Sequence, residues 1–253
     1  MTLYLIGLGL SDVYDVTVKG MNAARSCDKL FLETYTSKLQ TSIEDLEKFY
    51  GKPIVPATRD LVENRAEETI LPAAKEGNAA FLVIGDPLAA TTHIDLMLRA
   101  QKAGIKVEII HNASIMNAVA STGLQLYKFG KTTSIPFPEK SFEPETPYNV
   151  IKENGDNHTL LLLDLRPGEN RFMSVGDAIR YLLRIELKKN GKIFTEKTFV
   201  VGCARIGSNT QKIIAGEAGK IMKLDFGPPV HCLIVPGKLH FLEEEFLNRI
   251  SKN

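Results

Sequence analysis

Short apolar runs alternate with longer amphipathic segments through the first half of the chain. Apolar residues recur at helical spacing in the amphipathic segments, and turn-forming residues separate these segments from the apolar runs. Strands are predicted at residues 3–6, 29–33, 79–84 and 106–110. Helices are predicted at residues 15–25, with Asp15 as N-cap, and at 42–49, 63–74 and 92–103. This alternation favours a mostly parallel sheet with crossover helices.

The second half of the chain has a different texture. Residues 134–152 contain four prolines, which argue against a long helix there. Strands are predicted at residues 159–165, 197–204 and 230–235, and helices at 174–188 and 243–250. We therefore predict an α/β fold with two domains, an N-terminal domain over residues 1–112 and a C-terminal domain over residues 113–253.

Composition excludes several classes of protein. With 31 Lys and Arg against 30 Asp and Glu, the net charge is +1, which disfavours nucleic acid as the main ligand. No apolar run is long enough for a signal peptide or a membrane span. Three scattered cysteines are typical of a reducing compartment, so we expect a cytoplasmic protein without a membrane partner.

Two loops that follow apolar strands could approach a ligand. Residues 7–12 (GLGLSD) form a glycine-rich turn between a strand and a helix, although Asp12 stands where a dinucleotide-binding loop needs glycine. Gly85-Asp86-Pro87 ends a buried strand, where open α/β sheets bind ligands. The simpler alternatives are a tight turn at the first loop and a capped Asp-Pro turn at the second.

Other polar residues have equally simple explanations. Residues 109–117 lead from a strand into a helix, so Asn112 or Ser114 could be an N-cap or could face a ligand. His231 opens an apolar strand and is most simply a hydrogen-bonded structural residue. Cys203 lies near Arg205, but burial in a strand explains it better than a reactive thiol. The five histidines lack metal-ligand spacing, so we predict no metal site.

Taken together and in order, these loops resemble one family. The chain is similar to the tetrapyrrole-methylase-type (class III) S-adenosylmethionine methyltransferases, and most similar among them to the diphthine synthases. The strings that carry the resemblance span nearly the whole chain and include LYLIGLGLSD (3–12), FLVIGDPLAATTH (81–93), IIHNASIMNAV (109–119), GLQLYKFGK (123–131), HTLLLLDL (158–165), GCARIGS (202–208) and PGKLH (236–240).

The resemblance implies two α/β domains with mixed sheets, a cofactor cleft between them, and a homodimer. It implies methyl transfer from S-adenosylmethionine, leaving S-adenosylhomocysteine, to the 3-amino-3-carboxypropyl-histidine of translation elongation factor 2 in diphthamide biosynthesis. The amine becomes trimethylammonium. No catalytic residue is implied, and the expected cofactor contacts are Leu10, Asp86, Ala89, Ser114, Ile115, Leu163, Ile206 and His231.

Two features bear on the product. HNASIMNAV resembles the eukaryotic members, which add a fourth methyl group to give a methyl ester, and this predicts four methyl groups. The segment at residues 164–171 is short, as in archaeal members, and this favours three methyl groups. Two alternative functions remain open: a tetrapyrrole methyltransferase of the same superfamily, and a non-enzymatic, cofactor-sensing scaffold on elongation factor 2.

Overall fold

A computed structural model describes residues 1–139 and 143–250 of the chain. These divide into two compact units, Met1–Ala118 and Val119–Asn253. The domain boundary predicted at residue 112 stays a prediction. The α/β fold class is confirmed, because strands and helices alternate in both units.

The first unit is built on a parallel sheet in the order β3-β2-β4-β1-β5. Its strands are β1 (Thr2–Gly7), β2 (Lys29–Glu33), β3 (Ile54–Ala57), β4 (Ala79–Val83) and β5 (Lys106–Ile110). Its helices are α1 (Val18–Ser26), α2 (Ile43–Tyr50), α3 (Arg59–Glu63), α4 (Ile70–Glu76), α5 (Ile94–Lys102) and α6 (Ile115–Ala118), with short 3-10 turns at Val13–Asp15 and Ala66–Glu68.

Alternation along the strands buries both faces of this sheet. Leu5 and Phe81 face one way, into a core that includes residues of α3, α4 and α5. Ile6 and Leu82 face the other way, into a core shared with α1 and α2. Because successive side chains of a strand point to opposite faces, the apolar runs of the sequence are explained by burial on both sides.

The second unit holds a mixed sheet in the order β11-β10-β12-β7-β6, in which only the β6–β7 pair is parallel. Its strands are β6 (Thr133–Ile135), β7 (Thr159–Leu163), β10 (Phe199–Ala204), β11 (Lys212–Glu217) and β12 (His231–Val235); β8 (Leu165–Arg166) and β9 (Arg171–Phe172) form a small hairpin. Its helices are α7 (Thr146–Asn154), α8 (Val175–Lys189), α9 (Ala218–Ile221) and α10 (Phe241–Ile250), with 3-10 turns at Val119–Thr122, Leu126–Lys128 and Pro167–Glu169.

Proline explains three departures from the predicted elements. Residues 63–74, predicted as one helix, instead hold the last residue of α3, the 3-10 turn at Ala66–Glu68 and the start of α4. Pro72 cannot donate a hydrogen bond in a helix interior and occupies the first turn of α4. Strand β3 was missed because it contains Pro56, which is tolerated at the sheet edge where β3 lies. In the proline-rich segment, Pro147 opens the nine-residue helix α7.

Candidate functional site

Three loops leave adjacent strands at the carboxyl edge of the first sheet. Strands β4, β1 and β5 are neighbours and parallel, so the residues that follow them meet at one edge. The loop after β1 leads to α1 on one face of the sheet, and the loop after β4 leads to α5 on the other. Such a topological switch point is where open α/β sheets bind ligands.

Two glycines join the first two of these loops. The N–H of Gly85 donates to the carbonyl of Gly9 at 2.7 Å, and the N–H of Gly9 donates to the carbonyl of Gly85 at 3.2 Å. Both glycines have φ of +81°, which L side chains adopt rarely. A Cβ on Gly9 would also lie 2.5 Å from the Cβ of Asp15. The backbone of both loops therefore requires glycine at these positions.

Asp15 holds the first loop and does not cap α1, so the predicted N-cap was wrong. Its carboxylate accepts hydrogen bonds from the N–H groups of Ser11 (2.7 Å) and Leu10 (3.2 Å). Helix α1 begins three residues later, at Val18, and Thr17 caps it through the N–H of Gly20. The N–H of the candidate residue Leu10 is thus already bonded within the loop.

Asp86 lies at the centre of a hydrogen-bond network. Its Oδ1 accepts from the N–H of Leu88 at 2.9 Å, and its Oδ2 accepts from His111 Nδ1 at 2.7 Å and from the N–H of Asn112 at 3.1 Å. Burial raises the pKa of Asp86, but the hydrogen bonds from Leu88, Asn112 and His111 outweigh it and leave the pKa below its ordinary value. Asp86 is therefore an ionised carboxylate that fixes the second and third loops to each other.

Asn112 joins all three loops, a role that the N-cap interpretation missed. Its amide nitrogen donates to the carbonyls of Gly7 (2.9 Å) and Asp15 (3.0 Å), and its oxygen accepts from the N–H of Ala113. Ser114 does act as a cap, because its Oγ accepts from the N–H of Met116 at the start of α6. An asparagine directly after a strand was the available signal, but spacing could not show its partners.

His93 anchors the second loop from beneath. Its Nδ1 lies 3.0 Å from the carbonyl of Pro87, and its Nε2 lies 3.3 Å from the hydroxyl of Tyr35. Because a carbonyl only accepts, Nδ1 carries the proton and Nε2 accepts from Tyr35. Burial lowers the pKa of His93, which favours this neutral ring. The remaining first-unit candidates, Ala89 and Ile115, are half-buried, and the N–H of Ala89 donates to the carbonyl of Asp86.

The candidates of the second unit converge at one edge of the mixed sheet. Leu163 ends β7, His231 begins the antiparallel neighbour β12, and Ala204, which pairs with His231, ends β10. Ile206 follows two residues after Ala204 and is buried. Strand register thus brings together three residues that lie far apart in the sequence.

His231 has one satisfied and one unsatisfied ring nitrogen. Its Nε2 lies 3.1 Å from the carbonyl of Gly227 and 3.0 Å from that of Pro228, so Nε2 carries the proton. Its Nδ1 is then an acceptor, buried and without a partner among the described residues. Burial lowers the pKa of the ring and keeps it neutral. The predicted structural role is therefore present. In addition, Nδ1 offers an acceptor at the sheet edge where Leu163 and Ile206 also lie.

Arg205 holds together the loops around this edge, a role that the sequence analysis did not predict. Its guanidinium donates to the carbonyls of Phe226 (3.0 Å), Thr210 and Pro228, and its φ is +49°. These bonds hold residues 226–228 against the loop that carries Ile206. Apart from the position of Arg205 directly after β10, no sequence pattern indicates this role.

Other chemistries find no support among the described residues. All three cysteines are free and buried, and the neighbouring Cys232 together with burial raises the pKa of Cys203. Within residues 1–139 and 143–250, no group of three or more His, Cys, Asp and Glu side chains could hold a metal ion. In the same ranges, no helix has the length and apolar character needed to cross a membrane.

Comparison with known proteins identifies the family. Residues 2–222 match the family of tetrapyrrole (corrin/porphyrin) methylases. The chain is 43% identical to a diphthine methyl ester synthase of Dictyostelium discoideum and 47% identical to a diphthine synthase of Methanocaldococcus jannaschii, with coverage of 100% and 99% of both sequences, respectively. The chain belongs to the diphthine synthases of this family. The predicted family and methyltransferase class are confirmed.

The structure agrees with this membership. A crystal structure of diphthine synthase superposes with a TM-score of 0.91 at 39% identity, over 100% of this chain and 96% of the other.

The alignments with the two sequence relatives differ in length. The alignment with the Dictyostelium protein spans 274 positions, whereas that with the Methanocaldococcus protein spans 256, close to the 253 residues of this chain.

Proposed function

We propose that this chain is an S-adenosylmethionine-dependent methyltransferase of diphthamide biosynthesis. Its substrate is the 3-amino-3-carboxypropyl-histidine of translation elongation factor 2, whose amine it converts to trimethylammonium. The observation that carries the proposal is the glycine-bridged loop pair at the switch point of the parallel sheet, in a chain that belongs to this family. We further propose a cytoplasmic homodimer, which rests on the resemblance alone.

The cofactor contacts fall into two groups, each within its own unit. Those of the first unit are Leu10, Asp86, Ala89, Ser114 and Ile115, and those of the second are Leu163, Ile206 and His231. Most of these side chains are apolar or already bonded, so they contribute shape and backbone groups. The unsatisfied Nδ1 of His231 fits the cofactor, since adenine, ribose and the amino group all offer donors.

When bound, S-adenosylmethionine supplies a methyl group on a positively charged sulfur, which is already a strong electrophile. The task of the protein is then to position the amine, which is catalysis by proximity. The fixed loops around Gly9, Gly85 and Asn112 suit that task because internal hydrogen bonds already order their backbone. We propose no side chain as a general base.

Calorimetric titration with S-adenosylmethionine tests the proposed cofactor. We expect micromolar affinity that a metal chelator does not change. Gly9→Ala should weaken binding by more than about tenfold, because the new Cβ would have to displace Asp15 from the loop. Gly51→Ala is the matched control: its φ is also positive, at +73°, but no atom lies within 4 Å of the added Cβ. Equal affinity of both variants would contradict the proposed site.

Intact-mass analysis of elongation factor 2 after treatment tests the reaction itself. The string at residues 109–119 predicts four added methyl groups, the fourth on the carboxylate. A plateau at three would place the product with the archaeal type, in line with the short segment 164–171. No mass change in the factor, with methylation of a tetrapyrrole instead, would select the alternative substrate class.

A further inference from the structure

A pocket of about 330 Å³ opens in the second unit between residues 137–138, strand β9 and helix α8. It lies next to the β8–β9 hairpin, which starts two residues after Leu163. Three arginines and one carboxylate contribute to its lining, together with aromatic rings: Phe137, Arg171, Phe172, Asp177, Arg180 and Arg184. The charged side chains that line the pocket therefore carry a net positive charge.

Most cations around this pocket are neutralised by nearby carboxylates. Arg180 pairs with Asp177 at 2.8 Å, and Arg184 pairs with Glu143 at 3.1 Å. Arg171 differs, because it has no carboxylate partner within residues 1–139 and 143–250. One guanidinium at this pocket thus remains available for an anion.

The hairpin register makes the isolation of Arg171 unusual. Arg166 and Arg171 lie directly opposite each other on β8 and β9, an arrangement of like charges that destabilises a strand pair. Arg166 is compensated by Glu139 at 2.7 Å and by Glu169 at 3.8 Å, whereas no described carboxylate compensates Arg171. A local rule broken without internal compensation is typical of a functional position.

Arg171 is nevertheless held in place. Its guanidinium carbon lies 3.9 Å from the centre of the Phe137 ring, within cation–π distance. The ring itself is buried, and the backbone N–H of Phe137 donates to Asp164 Oδ2 at 3.0 Å. Asp164 directly follows the candidate residue Leu163. The stacked guanidinium is therefore linked to the end of β7 through Phe137 and Asp164, and its N–H groups have no hydrogen-bond partner among the residues that the structure describes.

We propose that Arg171 binds the carboxylate of the 3-amino-3-carboxypropyl group on the protein substrate. This inference rests on the proposed function, in which that carboxylate and the reacting amine are attached to the same carbon. A cation that recognises the carboxylate must consequently lie close to the place of methyl transfer. A planar guanidinium suits a carboxylate because it can donate two parallel hydrogen bonds. Arg171 then selects the modified histidine over an unmodified one.

The test compares Arg171→Gln with Arg166→Gln, its neighbour in register on the same hairpin. Steady-state methylation of elongation factor 2 that carries the aminocarboxypropyl group gives kcat/KM, and calorimetry gives the affinity for S-adenosylmethionine. We expect Arg171→Gln to lower kcat/KM by roughly ten- to a hundredfold without lowering cofactor affinity or Tm. Arg166→Gln should change kcat/KM less than about threefold, because Glu139 and Glu169 already occupy that side chain.

A binding comparison separates carboxylate recognition from general docking. Wild-type protein should bind the aminocarboxypropyl form of the factor more tightly than the unmodified form, and Arg171→Gln should remove that difference. Arg171→Lys should recover part of it, since the charge remains but the fork does not. An equal loss of affinity for both forms of the factor, or an unchanged kcat/KM, would overturn the inference. If wild-type protein does not methylate the factor at all, the proposed function fails instead.

Discussion

The polar groups at the two ends of the mixed sheet in the second unit differ in whether they have bonding partners. At the start of β7, Glu243 and His158 are completely buried and all their ring and carboxylate atoms are bonded. At the end of β7, His231 Nδ1 has no hydrogen-bond partner, and Arg171 has no carboxylate partner, within residues 1–139 and 143–250. One end of the sheet thus has polar groups that satisfy each other, and the other end has polar groups that we propose for ligand binding.

The satisfied end shows how a buried charge becomes stabilising. Glu243, near the start of α10, accepts hydrogen bonds from the N–H groups of Gln125 and His240, from His158 Nε2 and from the Lys128 ammonium. Burial alone would raise the pKa of Glu243, but these donors lower it to about 2. Burial lowers the pKa of His158, so Lys128 supplies the balancing charge while His158 stays a neutral donor. The network fastens the start of α10 to residues 125–128 and to His158 at the start of β7.

The largest expected effect comes from breaking the satisfied end. Glu243→Gln leaves the Lys128 ammonium without its anion and should lower the free energy of unfolding by roughly 3 kcal/mol, read from urea denaturation. Affinity for S-adenosylmethionine should be unchanged once the variant is folded. Glu245→Gln is the control on the same helix, because Glu245 is exposed and its pair with Arg249 lies on the surface. If Glu243→Gln instead kept its stability but lost affinity for S-adenosylmethionine, the Glu243 end of the sheet would be a binding site and not a structural one.

The same network predicts a pH dependence. Because the folded pKa of Glu243 lies below its unfolded value, near 4.3, the ionised group stabilises the fold above that value. The contribution should then fade as pH falls from about 4.3 towards about 2. Urea denaturation of wild type and Glu243→Gln over this range should show the two stabilities converging. A difference that stays constant with pH would mean that Glu243 acts through packing and not through its charge.

Asp86 in the first unit sharpens the comparison. It was predicted as a cofactor contact, but like Glu243 its carboxylate accepts several hydrogen bonds from within the protein. Asp86→Ala leaves the N–H groups of Leu88 and Asn112 and the His111 ring without an acceptor, which should destabilise the protein by about 1.5–3 kcal/mol. Since Asp86 also fixes two site loops, cofactor affinity should fall by roughly tenfold to a hundredfold. Calorimetry and thermal unfolding on one preparation measure both. Normal affinity with lowered stability would make Asp86 purely structural.

Much of the fold could be predicted because its elements are periodic and capped locally. The start of α8 follows from the Ser174–Asp177 capping box, and β2 and β5 lie where the apolar runs placed them. The elements that were missed depend on position in the sheet. Strands β3 and β11 are edge strands that pair on one side only, so neither carries the buried pattern of a central strand.

The candidate site was predictable only in part. Glycines 9 and 85 could be singled out because positive φ restricts residue choice at those turns. The roles of Asn112 and Arg171 depend on which atoms meet across long stretches of chain, and spacing along the sequence does not encode that. The cofactor contacts stay predictions, because they came from family resemblance and no pattern in the residues identifies them independently.

The smallest expected effect separates the two nitrogens of His231. In His231→Gln, the side-chain amide reaches the position of Nε2 and keeps a donor for the carbonyls of Gly227 and Pro228, but the Nδ1 acceptor is lost. In His231→Asn, the shorter side chain places its oxygen near Nδ1 and loses the donor. If the free acceptor serves the cofactor, the glutamine variant should bind S-adenosylmethionine roughly tenfold more weakly at nearly normal Tm, since one hydrogen bond is worth about 0.5–1.5 kcal/mol. The asparagine variant should show the opposite: a lower Tm and nearly normal affinity. Calorimetry and thermal unfolding on both variants decide the matter, and normal affinity in the glutamine variant would remove His231 Nδ1 from the proposed cofactor contacts.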